Sequence, residues 1–80
     1  MSKITIFDKM KDQPGQQHKI RIDYPDGTRR TIPCYTYHYM GEPPDLMMQL
    51  LDKEYHTIDF IDHIDEITYG GKIKGWFGKE

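Results

Sequence analysis

Cysteine is nearly absent from this sequence. Its 80 residues include a single cysteine, Cys34, which has no second cysteine with which to form an internal disulfide. Small secreted domains usually depend on several paired cysteines. Residues 1–4 also contain no long apolar run of the kind that a secretory signal requires. We therefore expect a cytoplasmic protein.

Long hydrophobic runs and a strong net charge are absent as well. No stretch approaches the roughly 20 apolar residues that cross a bilayer, so we expect no membrane association. The formal net charge is −2 and the sequence pI is about 6.0. This balance provides no overall attraction to nucleic acid, so nucleic-acid binding would require a local basic patch.

Catalytic and metal-binding motifs are also missing. The sequence has no phosphate-binding glycine loop, dinucleotide fingerprint or serine elbow. Residues 56–66 combine carboxylates with two histidines, but their spacing matches no zinc or calcium template, and we predict an acidic, solvated turn there. Cys34 and His38 would lie roughly 13 Å apart on a strand, too far for a nucleophile and its base. We predict no enzyme activity, no cofactor and no metal.

The clearest structural pattern is a β-hairpin within residues 18–39. Ile20, Ile22 and Tyr24 alternate with charged residues up to a Pro-Asp-Gly turn, after which β-forming residues resume. If Tyr24 faces Thr28, the register pairs Ile22 with Arg30, Ile20 with Ile32 and His18 with Cys34. Pro33 cannot donate a ladder hydrogen bond, which predicts an edge strand or a bulge at that position.

The second half of the chain predicts a helix and further strands. Leu46, Met47, Leu50 and Leu51 fall at helical spacing, which favours an amphipathic helix. Residues 57–60 and 66–69 are typical of strands, residues 61–65 of one helical turn, and Gly70-Gly71 of a chain reversal. The predicted fold is a single α+β domain over residues 1–80, with a small, mostly antiparallel sheet of four to five strands and one helix on one face.

Aromatic and methionine side chains are more numerous than one small core needs. Six tyrosines, three phenylalanines, one tryptophan and five methionines occur in the chain, and such residues are enriched at the centres of protein interfaces. We predict a non-enzymatic interaction or regulatory module that presents a sheet edge and an aromatic surface to another protein or to its own copy. The predicted partner-binding residues are Tyr35, Tyr37, Tyr39, Trp76 and Phe77.

Self-association follows from the small size of the chain, because a dimer would bury apolar surface that a single copy leaves in water. Trp76 is the predicted anchor of such a homodimer. The size and composition are also typical of small accessory proteins encoded by phages and other mobile elements.

The alternative prediction is a nucleic-acid-binding domain that uses the hairpin. Cations that contact phosphates, placed beside aromatic rings that stack on bases, are typical of surfaces for single-stranded nucleic acid. The tyrosines after Pro33 follow the hairpin directly and would supply the rings. The cations that this alternative assigns to the site are Lys19, Arg21, Arg29 and Arg30.

Overall fold

The computed structural model describes residues 2–78, and their regular secondary structure is entirely β. The strands are β1 (Ser2–Lys9), β2 (His18–Asp23), β3 (Arg29–Cys34), β4 (Thr36–Met40), β5 (Leu46–Leu51) and β6 (Thr57–Ile73). The predicted α+β class is therefore wrong, because the described residues form an all-β fold. Among these residues there is no helix long and apolar enough to span a membrane.

The six strands form one sheet that curls into a half-barrel. Their order across the sheet is β3-β2-β1-β6-β5-β4. Neighbouring strands are antiparallel except for β1 and β6, which run parallel. The two edge strands, β3 and β4, are consecutive in the chain, and Tyr35 alone separates them. Because one residue joins them, the end of β3 lies close to the start of β4, and the sheet has to curl for its two edges to meet in this way.

The hairpin prediction is confirmed, including its register, for residues 18–34. Residues 36–39, which were predicted to continue the same hairpin, belong instead to β4 and pair with β5. His18 pairs with Cys34, Ile20 with Ile32 and Ile22 with Arg30. The Tyr24 N–H donates to the Thr28 carbonyl at 2.9 Å, and Gly27 has the positive φ, 90°, that the turn requires. Pro33 lies on edge strand β3, as its missing donor predicted.

The predicted helix is a strand, β5. Leu46, Met48 and Leu50 are buried, whereas Met47 and Gln49 between them are half-buried, which is the period of two of a strand. β5 has a hydrogen-bonded neighbour on each side, β4 and β6. Residues 52–56 form a turn in which Asp52 accepts backbone hydrogen bonds, so the segment has no room for a three-turn helix.

β6 is a single strand of 17 residues where the sequence predicted two strands, a helical turn and a chain reversal. Both of those interruptions are irregularities within the strand. His63 has a φ of 54° and Gly71 a φ of 90°, and the pairing register shifts close to both positions. These β-bulges bend the strand, so that residues 57–64 pair with β5 and residues 64–73 with β1.

The core lies on the concave side of the half-barrel, which we call the inner face. Ile4, Ile20, Met48, Leu50 and Ile64 are the centre of its buried cluster. Side chains alternate between this face and the convex outer face along each strand. The carboxyl-terminal tail after β6 packs on the outer face, where Phe77 lies beneath Lys19.

Candidate interaction surface

The structure distributes the five predicted partner-binding residues over three places. Tyr37 and Tyr39 lie on edge strand β4. Tyr35 occupies the junction between β3 and β4, and its N–H donates to the Leu51 carbonyl at 2.9 Å. Trp76 and Phe77 belong to the tail. One continuous surface formed by all five residues is therefore not present.

Tyr37 and Tyr39 form a pair on the inner face, which we call the tyrosine ledge. They lie opposite Leu50 and Met48 of β5 in the register. Their rings stack with centroids 6.3 Å apart and an interplanar angle of 15°. Tyr37 packs against the buried core, whereas Tyr39 is 57% exposed. The ledge therefore extends from the core of the half-barrel to its open edge.

A hydrogen-bonded group from three other strands supports the inner end of the ledge. The His18 ring meets Tyr37 edge to face, with centroids 4.9 Å apart. His18 Nδ1 lies 2.7 Å from Asp8 Oδ1, and the Tyr69 hydroxyl donates to Asp8 Oδ2 at 2.9 Å. Because Asp8 holds both neighbours, the His18 ring has a fixed orientation against Tyr37.

This carboxylate also affects the ionisation of the tyrosines around it. The hydrogen bond to Asp8 raises the pKa of Tyr69. Burial, followed by the negative charge of Asp8, raises the pKa of Tyr37. Both phenols are therefore neutral at physiological pH, and they can act as hydrogen-bonding and stacking groups.

Cys34 lies opposite His18 in the hairpin, and His18 in turn contacts Asp8, so the three residue types of a nucleophilic triad are close together. Burial, however, raises the pKa of the Cys34 thiol to about 12, and its side chain is fully buried. A nucleophilic cysteine needs a lowered pKa and access to substrate. This geometry favours a structural role for the thiol, in the core of the sheet.

The two edge strands differ in how well they are protected against pairing with another chain. β3 carries Arg29 and Arg30, contains Pro33, and has Gly78 of the tail against the proline ring. Charged side chains, proline and a covering segment are the usual means of blocking a sheet edge. β4 has none of them: its sequence, Thr-Tyr-His-Tyr-Met, is uncharged and its pairing with β5 is regular.

The outer side of β4 is also free of pairing within the chain. β4 is the terminal strand of the sheet, and no strand formed by residues 2–78 bonds to its second edge. His38, Tyr39 and Met40 are exposed. In an antiparallel pair, alternate residues direct their N–H and C=O groups away from the neighbouring strand. β4 therefore presents a row of backbone donors and acceptors beside the tyrosine ledge.

The four cations of the nucleic-acid alternative already have contacts within the chain. Arg29 Nε lies 2.6 Å from Asp23 Oδ1, and Arg30 Nη2 lies 2.9 Å from Asp59 Oδ2. The remaining two contact aromatic rings: the Lys19 ammonium lies 5.3 Å from the Phe77 centroid and the Arg21 guanidinium 5.4 Å from the Phe7 centroid.

The faces of the sheet separate three of these four cations from the ledge. The register places Lys19, Arg21 and Arg29 on the outer face, opposite to the buried isoleucines of the hairpin. Arg30 is on the inner face, where the hydrogen bonds to Tyr24 and Asp59 raise its pKa. The predicted arrangement of cations beside the tyrosines therefore does not form.

The tail forms a strap across the outer face. Phe77 is 1% exposed, and its carbonyl accepts a hydrogen bond from the Gln16 N–H at 3.0 Å. The structure therefore makes Phe77 part of the fold. Trp76 beside it is 69% exposed and, with Pro14 and Gly15, lines a shallow depression. This depression lies on the other side of the sheet from the tyrosine ledge.

The acidic segment predicted as a turn lies on β6. Asp59 bonds to Arg30, while His63 lies 3.7 Å from Asp45 and 3.8 Å from Asp62. Within residues 2–78 there is no group of three or more His, Cys, Asp or Glu side chains placed to hold a metal ion.

Sequence reasoning missed the group that supports the ledge. Asp8 and Tyr69 are 61 residues apart, and the parallel pairing of β1 with β6 brings them together. No local pattern indicates such a contact.

The chain matches no protein-family model, and no curated protein or solved structure is similar enough to count as a match.

Proposed function

We propose that this protein is a non-enzymatic interaction module that binds an extended segment of a partner protein by strand addition at β4. The observation that carries the proposal is the contrast between the two edges of the sheet. β3 carries two arginines and a proline, whereas β4 is uncharged, regular and open. Edges of this second kind pair readily with another chain.

Strand addition would use the two features of β4 together. Backbone hydrogen bonds along the edge supply affinity, and alternate side chains of the added strand supply specificity. Inward-facing side chains of the partner would lie against the tyrosine ledge, Tyr37 and Tyr39. Tyrosines suit this purpose because each offers a large rigid area and a hydroxyl at a small cost in conformational entropy.

The support behind the ledge favours the same function. Asp8 holds His18 and Tyr69 by hydrogen bonds, and His18 holds Tyr37 from its edge. A surface that is rigid before binding loses less entropy when the partner arrives. Tyr35 and Trp76 lie outside this surface, and their role as partner contacts remains a prediction. We also propose that the protein is located in the cytoplasm.

The proposal is tested by site-specific photocrosslinking in the cell that encodes the protein. A benzophenone amino acid replaces Tyr39 on the ledge or, as the control, Tyr55 in the β5–β6 turn. Both positions carry an exposed tyrosine, 57% and 67% respectively, so the substitutions are matched in chemistry and accessibility. Illumination followed by mass spectrometry identifies the crosslinked chain and the residue that reacted.

We expect specific crosslinks from position 39 that position 55 does not produce. They should disappear when Tyr37→Lys is added, because a lysine facing inward protects an edge against strand addition. Equal crosslinking from both positions, or crosslinks from position 39 that survive Tyr37→Lys, would overturn the proposal. A crosslink to nucleic acid from either position would favour the hairpin alternative.

A further inference from the structure

We infer that the segment that pairs with β4 is β4 of a second copy of this chain, in an antiparallel arrangement with a two-fold axis through His38. This inference rests on the proposed function, because it identifies the occupant of the same edge. It follows from the sequence of the strand, from the side chains around it and from its position in the fold.

The strand is close to a palindrome. β4 has five residues, and the central three are Tyr37, His38 and Tyr39. A two-fold axis through the middle residue pairs Tyr37 with Tyr39 of the second copy, and Tyr39 with its Tyr37. It also places His38 opposite its own counterpart. Isologous interfaces require this kind of self-complementarity.

This register joins the two ledges into one. Directly opposed residues of an antiparallel pair have Cβ atoms about 4.5 to 5.5 Å apart, and aromatic cross-strand pairs are among the more stabilising. The stacked rings of each copy would continue into those of the other across the inner face. The exposed ring of Tyr39 would then be covered, and β4 brings no Asp, Glu, Lys or Arg side chain into the seam.

The chain path restricts the alternatives. β4 begins directly after Tyr35, whose N–H already bonds to Leu51, and the preceding residues belong to β3. A register centred nearer to the start of β4 would force the second copy against β3. One centred nearer to Met40 would leave part of the strand unpaired. Only the axis through His38 pairs all of β4.

Cysteine crosslinking measures this register directly. In a Cys34→Ala background, a His38→Cys variant should form an intermolecular disulfide, because opposed Cα atoms about 4.5 to 5.5 Å apart fall within disulfide range. Thr36→Cys alone should not, since the two copies of residue 36 would be roughly 13 Å apart. A mixture of Thr36→Cys and Met40→Cys chains should crosslink to each other.

Sedimentation equilibrium measures the association itself. We expect a mass that rises with concentration from 9.5 kDa towards twice that value. Tyr39→Lys should weaken the dimer by about tenfold or more, whereas the matched variant Tyr55→Lys should leave it unchanged. Trp76→Ala should also leave it unchanged, because Trp76 lies on the far side of the sheet.

The outcomes separate the two proposals. A mass of 9.5 kDa at all concentrations, combined with position 39 crosslinks to a different protein, would overturn the dimer and support the interaction module. A dimer that dissociates with Trp76→Ala but resists Tyr39→Lys, or that lacks the His38→Cys disulfide, would also overturn the inference. A monomer without any specific crosslink from position 39 would overturn both proposals.

Discussion

Two adjacent methionines, Met47 and Met48, can test whether the segment from Leu46 to Leu51 is a strand or a helix. The helical pattern that the sequence suggested buries Met47, whereas β5 buries Met48 on the inner face and leaves Met47 half-buried on the outer face. Met48 is 0% exposed, and its register partners are Tyr39 and Ile61. Met48→Ala and Met47→Ala therefore distinguish the two arrangements.

The expected cost of Met48→Ala follows from its burial. The change removes Cγ, Sδ and Cε, which at about 0.8 kcal/mol per buried group amounts to about 2.4 kcal/mol. The cavity left between β4 and β6 raises this to about 3 to 4 kcal/mol, within the range of about 2 to 5 for buried methionine. Met47→Ala leaves no enclosed cavity, so it should cost less than about 1 kcal/mol.

Urea unfolding followed by tryptophan fluorescence and circular dichroism provides the measurement. With a slope of about 1 kcal/mol per molar, the Met48→Ala midpoint should fall by about 3 M, and that of Met47→Ala by less than about 1 M. Met48→Leu, which keeps the volume, should cost less than about 1.5 kcal/mol. A Met47→Ala cost equal to or above that of Met48→Ala would refute the strand assignment.

Four further outcomes are expected. Gly15→Ala should lower the free energy of unfolding, measured in urea, by more than about 1 kcal/mol, because a Cβ at φ 105° would overlap the Gly78 carbonyl oxygen. In the control variant Gly27→Ala the new Cβ meets no neighbouring atom, so its cost measures the effect of positive φ alone. Cys34 should react with a maleimide only after unfolding. Because burial raises its pKa to about 12, its contribution to stability should be constant below about pH 8.5 and fall as the pH rises above that value, so the melting temperature should drop less in Cys34→Ala than in the unchanged protein over that range. Melting curves with EDTA, zinc, manganese and calcium should coincide, and a saturable rise in melting temperature would contradict this. A labelled single-stranded oligonucleotide should show no salt-dependent binding, and binding that weakens as salt rises would revive the hairpin alternative.

The sequence alone determined the β2–β3 hairpin, including its register. The reason is that both signals are local: hydrophobic alternation in residues 18–24 and a Pro-Asp-Gly turn that permits only a narrow set of backbone angles. Pro33 likewise indicated an edge strand through its own chemistry, because it has no N–H to donate.

The tertiary structure decided the elements whose local signals were ambiguous. The segment Leu-Met-Met-Gln-Leu-Leu satisfies a helical period at Leu46, Met47 and Leu50 and a strand period at Leu46, Met48 and Leu50. What selects the strand is the pair of neighbours, β4 and β6, whose backbone groups bond to it on both sides. Pairing partners distant in the chain are not visible in a window of six residues.

The continuity of β6 and the composition of the interaction surface have the same origin. Gly70-Gly71 and residues 61–65 looked like interruptions, but pairing with β1 around Gly71 and with β5 at Ile61 and Ile64 keeps the chain extended through bulges at those positions. The Asp8 contact with Tyr69 and the burial of Phe77 join segments from opposite ends of the chain. Such contacts depend on the order of the strands in the sheet, because the parallel pairing of β1 with β6 places the two ends of the chain side by side.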